Sequence, residues 1–198
     1  MALEGPLSEQ KESHSNDFSI VPLKGLYGVV VILIVLIVTI EKNWLYGLEF
    51  FHVVSGGLWT AIDLFVGFVI GPILGKLSVP ARIEFSKRFM PKMLLIMPTL
   101  VACTLSAGWQ LARHLGNLSH SSPNHTPLVI SFIVVGVMTL IALGILEPAN
   151  IAVLLELKRF EPRGEVIGKL MKRFIYTAGI TGAMQIATLI IMTWVTVK

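Results

Sequence analysis

The sequence predicts an all-α integral membrane protein, a bundle of five transmembrane helices with the N-terminus inside and the C-terminus outside. Three observations predict it. Of 198 residues, 54% are hydrophobic and only 14% charged, and the mean hydropathy is +0.77, whereas an ordinary soluble domain is about 45–50% apolar and about 25% charged. A chain this short has too little interior to hide that much apolar surface from water. Apolar stretches of about 20 residues, the length at which a helix crosses the hydrocarbon, recur along the chain. Lysine and arginine, finally, segregate to alternate connections between those stretches. A soluble enzyme, a nucleic-acid-binding module and a secreted disulfide scaffold are all disfavoured. The lone Cys103 forbids an internal disulfide and reads as a small core residue.

Residues 1–23 form a polar tail with Glu4, Glu9, Glu12 and Asp17 against Lys11. It lacks the basic start of a signal peptide and the acid-poor character of a transit peptide, so a retained cytoplasmic tail is expected. The transmembrane domain then occupies 24–198. Its first span, about 24–41, is a β-branched run that would suit a strand in water. In lipid only a helix satisfies all its own backbone groups, so a helix is expected. The second span, about 49–75, carries His52, Asp63 and several glycines. The third, about 93–114, contains Pro98, Cys103 and His114. The fourth, about 128–157, is long and interrupted by Glu147-Pro148, and the fifth covers about 174–196.

An odd number of spans puts the N-terminus and the 76–92 and 158–173 connections on one side. Of the 16 lysines and arginines, only Lys42, Arg113 and Lys198 fall on the other. The positive-inside rule then sets the orientation, and the net charge of +4 encodes topology rather than an acidic partner. Trp44, Tyr46, Trp109 and Trp194 fall at the outer boundary as an aromatic belt does. The sequons at Asn117 and Asn124 lie in the same outer loop. The two basic connections read as interfacial helices whose cations meet anionic headgroups.

Ionisable side chains inside a span cost a few kcal/mol on insertion scales and so ask for an explanation. At 100° per residue His52, Gly56, Trp59 and Asp63 share one face of span two. Asp63 lies about 16 Å deeper than His52, near mid-membrane. His52 reads either as a ligand to a b-type haem or copper, or as an interfacial imidazole bonded to a neighbouring carbonyl. The outer end of span three carries Gln110, Arg113 and His114, at a depth similar to His52. His120 and His125 in the following loop add further imidazoles on that side. Asp63 reads as a proton carrier or ligand-orienting group, or as a structural carboxyl bonded to Gln185 of span five. Glu147 reads as a carboxylate reaching the headgroup zone, with Pro148 and Asn150 breaking the helix.

Gly67, Gly71 and Gly75 repeat every four residues and form a stripe on which another backbone can pack closely. Gly179 and Gly182, with Ala178 and Ala183, form a comparable stripe on span five. The two stripes are expected to pair, which would bring Gln185 toward Asp63, or to dock other membrane subunits. No phosphate-binding glycine loop, HExxH or GxSxG is present. No residue is assigned as catalytic, and activity of the chain on its own is not expected.

The segment Phe51-His52-Val53-Val54-Ser55-Gly56-Gly57-Leu58-Trp59 resembles a pattern in two multi-helix bacterial membrane families, the copper-resistance D type proteins and the haem-binding HemJ-type protoporphyrinogen oxidases. Both open a span with an aromatic residue and histidine and place a tryptophan seven positions after the histidine. The likeness covers span two and the Pro91-Lys92 start of span three. It implies that His52 coordinates copper or haem. The paired glycines before Trp59, and Asp63 itself, depart from the usual pattern. The expected protein is a prokaryotic plasma-membrane subunit holding haem b or copper near its outer face through His52 and His114, with His120 and His125 as further possible ligands, for electron transfer or metal handling beside a larger oxidase complex. The alternatives are a non-catalytic accessory subunit and a small transporter working through Asp63.

Overall fold

In the computed structural model, which describes residues 19–197, the chain is helical throughout apart from short connections. Five helices are long and apolar enough to cross a membrane: α1 (Leu23–Glu41), α2 (Leu45–Lys76), α3 (Val79–His114), α4 (His125–Leu157) and α5 (Gly164–Val197). Of the polar tail expected over 1–23, residues 1–18 lie outside the described residues. We call the end bearing the α2–α3 and α4–α5 connections the basic end, and the opposite one the far end.

Helices α3 and α5 are much longer than the spans expected from hydropathy. The basic segment 79–92 is not a separate interfacial helix but the first turns of α3, opened by Pro80 in its first turn. At 36 residues and 1.5 Å per residue, α3 is about 54 Å long and overshoots the roughly 30 Å hydrocarbon core. Charged residues hide the start of such a helix from a hydropathy reading.

Two helices carry a π turn, and in each the cause is a proline. In α2 the Gly71 N–H bonds the Val66 carbonyl, five residues back, immediately before Pro72. In α4 the Glu147 N–H reaches Ala142 in the same way before Pro148. Proline has no N–H and crowds the carbonyl four residues before it, so the ladder loosens by one residue there. Both helices continue past the fault. Glu147 and Pro148 therefore do not break span four, and Glu147 sits inside α4, at the start of its last 11 residues.

Pro91 and Pro98 lie inside α3, and a side chain of α4 reaches the backbone beside Pro91. Fully buried Asn150 of α4 donates its amide to the Met90 carbonyl at 3.3 Å and accepts from the Leu94 N–H at 3.2 Å. One side chain is thus spliced into the α3 ladder next to a proline. The Thr99 hydroxyl beside Pro98 donates to the Leu95 carbonyl at 2.6 Å.

The connections are short and closed locally. Asn43 (φ 49°) and Gly116 (φ 68°) adopt the left-handed conformation after α1 and α3, the former tolerable for Asn and the latter natural for Gly. At the basic end Glu156 accepts from Arg163 Nε at 2.8 Å and from its backbone N–H at 3.2 Å, and meets Arg159 Nε at 3.2 Å. These bonds staple the turn from α4 to α5.

The core lies between α2, α3, α4 and α5, around Trp59, Met90, Met138, Leu154, Met171 and Phe174. Helix α1 is peripheral and buries only Leu36 and Thr39. The tightest crossing is that of α2 on α5. A Cβ placed on Gly67 would stand 2.5 Å from the Gly179 Cα, and one on Gly182 would stand 3.0 Å from the Leu64 backbone N. Around Gly75, by contrast, a Cβ would meet nothing within 4 Å.

Gly67→Ala is accordingly expected to lower stability by about 1–3 kcal/mol, the usual range for overpacking. Gly75→Ala should stay neutral or gain slightly through helix propensity. Thermal unfolding of the two variants in one detergent checks the contrast.

Candidate functional site

Two polar positions on one face of α2 organise the interior of the bundle. Asp63, only 2% exposed, meets α5 where Gly182 allows the backbones to close. Its Oδ2 accepts from the Gln185 amide nitrogen at 2.9 Å and lies 2.9 Å from the Thr181 hydroxyl. Trp59, one turn earlier, adds a further side-chain contact. Among the described residues no lysine, arginine or histidine forms an ion pair with Asp63.

Thr181 has a single hydroxyl proton and three acceptors within reach: Asp63 Oδ2, the Ala178 carbonyl at 3.0 Å and the Thr177 carbonyl at 3.1 Å. With Asp63 ionised, the hydroxyl donates to the carboxylate. With Asp63 protonated on Oδ2, the acid donates to Thr181 and the hydroxyl turns to the backbone. Either proton arrangement suits the same heavy-atom positions. The Oε1 atom of Gln185 is buried and has no protein hydrogen-bond partner.

His52 lies on the same face of α2, nearer the far end. Its Nδ1 is 2.9 Å from the Thr104 carbonyl of α3. A carbonyl only accepts, so Nδ1 carries the proton and the neutral ring keeps Nε2 as its acceptor or ligand atom. The imidazole fits because α3 has no side chain at Gly108, where a Cβ would come within 2.6 Å of the ring. The Thr104 hydroxyl donates within 2.9 Å of Ser55 Oγ, and Ser55 in turn bonds the Phe51 carbonyl. Gly56 packs against the same threonine.

A cavity of about 350 Å³ opens between α2, α3, α4 and α5 in the far half of the bundle. His52 and Gly57 line it toward the far end, Trp59, Ser131 and Met138 along its walls, and Gln185 at its mid-bundle end. The cavity is largely apolar with a few polar groups, the usual composition of a small-molecule site. A second, larger cavity lies beyond Gly67 toward the basic end.

The other described histidines are placed apart from His52. Gly108, which carries the His52 ring, precedes His114 by two turns, about 9 Å of helical rise. His114 is exposed at the end of α3. His120 and His125 meet each other in the far-end loop with ring centroids 4.3 Å apart. Among the described residues no three His, Cys, Asp or Glu side chains are grouped as metal ligands. Gln110 is half-buried near the end of α3, and Glu147 is half-buried on α4. Asn124, within a sequon, turns its amide to the Val195 carbonyl at 3.5 Å and buries its oxygen, tying the loop to α5. Gly71 faces Ile175 of α5.

Comparison with family models, with curated proteins and with solved structures gives no match for this chain. Thr104, Thr181 and Asn150 carry much of the buried polar architecture and have no distinguishing signal in the sequence. Threonine in a membrane helix usually bonds its own backbone, and only the facing helix reveals another role.

Asp63→Leu would strip Thr181 and Gln185 of their partner, at about 1–3 kcal/mol for buried donors left unmade. Asp63→Asn keeps an acceptor at that point and is expected to cost less. Parallel unfolding titrations of the two variants test this order.

Proposed function

We propose that the protein is a multi-pass membrane subunit that binds a b-type haem in the far-half cavity through His52, and that serves electron transfer beside partner subunits. His52 carries this reading. Its Nδ1–H is held by the Thr104 carbonyl, as the second nitrogen of a ligating histidine ordinarily is, and the ring lines a cavity instead of facing lipid. One mode of haem ligation holds the iron through a proximal imidazole, and His52 would offer one. A copper site asks for several soft or imidazole donors, and no such group is assembled among the described residues, so the donor set fits haem better than copper.

Each residue's part follows from its place. His52 binds, and Thr104 fixes the tautomer and the ring plane. Gly56 and Gly108 let α2 and α3 close around the imidazole, while Trp59 and Met138 keep water away. The bound group would supply the one-electron chemistry, and the chain supplies binding and orientation. In the orientation favoured by the positive-inside rule, the basic end faces the cytoplasm of a prokaryotic plasma membrane and the haem lies in the outer half.

Asp63 supports a second reading, a small proton-linked carrier. It is a buried carboxyl with two proton arrangements, positioned between cavities in opposite halves of the bundle, where carriers keep their sites.

The optical spectrum of protein purified from membranes supplied with haem distinguishes them. A Soret band lost in His52→Ala and kept in His114→Ala is expected. Absence of any chromophore in the wild-type preparation overturns the haem reading. Proton-coupled uptake that survives His52→Ala and disappears in Asp63→Asn would establish the carrier instead.

A further inference from the structure

We infer that the groove between α2, α3 and α5 at the basic end is a binding site for one anionic phospholipid, its acyl chain in the groove and its phosphate on Arg82 and Lys172. The groove encloses about 790 Å³. Gly71 and Gly75 of α2 and Gly168 and Gly179 of α5 are among the residues that line it. Along α5 it runs from Gly168 to Ala183, about 22 Å at 1.5 Å per residue. That exceeds the roughly 15 Å half-thickness of the hydrocarbon core, so the groove can follow a chain through one leaflet.

The polar end of the groove is built by cations. The Arg82 side chain reaches from the first turn of α3 across to α5, where a Cβ on Gly168 would stand 2.9 Å from its guanidinium. One terminal nitrogen donates to the Leu77 carbonyl at 3.2 Å, while the buried Nε has no protein partner. Lys172 stands over the Tyr176 ring at 5.6 Å. Three of the carboxylates at this end are engaged elsewhere, Glu84 with Arg88, Glu156 with Arg159 and Arg163, and Glu165 with Lys169, while Glu161 of the α4–α5 connection pairs with neither Arg82 nor Lys172. Neither Arg82 nor Lys172 takes part in an ion pair among the described residues, and an anion satisfies both.

The apolar length behind these cations selects the occupant. Free phosphate would use only the charged end. A zwitterionic lipid fills the groove but brings its own cation to a cationic mouth. An anionic lipid matches both parts, with about 1 kcal/mol expected from each cation near the surface. This site shares no residue with the His52 cavity, so it stands or falls independently of haem binding.

Native mass spectrometry of the full chain, released from mild detergent with phosphatidylglycerol, phosphatidylcholine or inorganic phosphate added, tests the proposal. One retained phosphatidylglycerol is expected, with retention reduced about fivefold by Lys172→Gln and further by Arg82→Gln. Gly75→Leu, at a position with open space around it, should also reduce retention by filling the groove while leaving both cations in place. Equal retention of phosphatidylcholine, or displacement of the lipid by phosphate alone, would overturn the proposal. So would full retention in both Lys172→Gln and Gly75→Leu.

Discussion

The crossing of α2 on α5 is the constraint on which the rest of this bundle depends. In lipid, helices gain little from hiding apolar surface, and association rests on close packing and hydrogen bonds. Gly67 against Gly179 and Gly182 against Leu64 bring the two backbones together. That approach places Thr181 and Gln185 within 2.9 Å of Asp63. The polar cluster is thus a consequence of one contact. The His52 cavity lies in one half of the bundle and the groove partly lined by glycines in the other.

The prolines obey a similar economy. Pro72 and Pro148 each follow a π turn, so the ladder absorbs the missing donor within its own helix. Next to Pro91, Asn150 of the facing helix bridges the Met90 carbonyl and the Leu94 N–H. A hydrogen-bonded amide at the centre of the core fixes α4 against α3 in register as well as in contact. The π turn of α2 begins three residues after Asp63, and that of α4 ends one residue before Glu147. Asp63 and Glu147 therefore each stand beside the least regular part of their helix, where backbone groups are most able to rearrange.

Much of this architecture was legible in the sequence, and what was not has a physical reason. Hydropathy reads the five spans because the bilayer demands continuous apolar length. It misjudges where α3 starts, because residues 79–92 are charged yet helical and extend beyond the hydrocarbon. Helical periodicity places His52 and Asp63 on one face of α2, a property of that helix alone. It gives depth but not azimuth for a residue on a facing helix. His114 accordingly shares the far end with His52 without approaching it, and Thr104, unremarkable in sequence, is the residue that holds the imidazole. Gln185 was identifiable as a partner for Asp63 because an amide at mid-membrane is rare, whereas Thr181 was hidden among threonines that bond their own helix.

Magnitudes bear on why Asp63 is there at all. A carboxylate near the centre of a spanning helix costs about 2.5–3.5 kcal/mol on insertion scales. Interhelical hydrogen bonds in membranes return about 0.6 kcal/mol on average and about 1.7 at most. The bonds to Thr181 and Gln185, together with the Trp59 contact, therefore fall short of the cost of an ionised Asp63 at average strength. A leucine or alanine among the same small residues would hold α2 to α5 without that penalty. Protonation removes most of the charge penalty, and Thr181 can accept the acid's proton without any heavy atom moving. Stability alone is thus a poor account of Asp63, and that shortfall is the ground for the carrier reading proposed above.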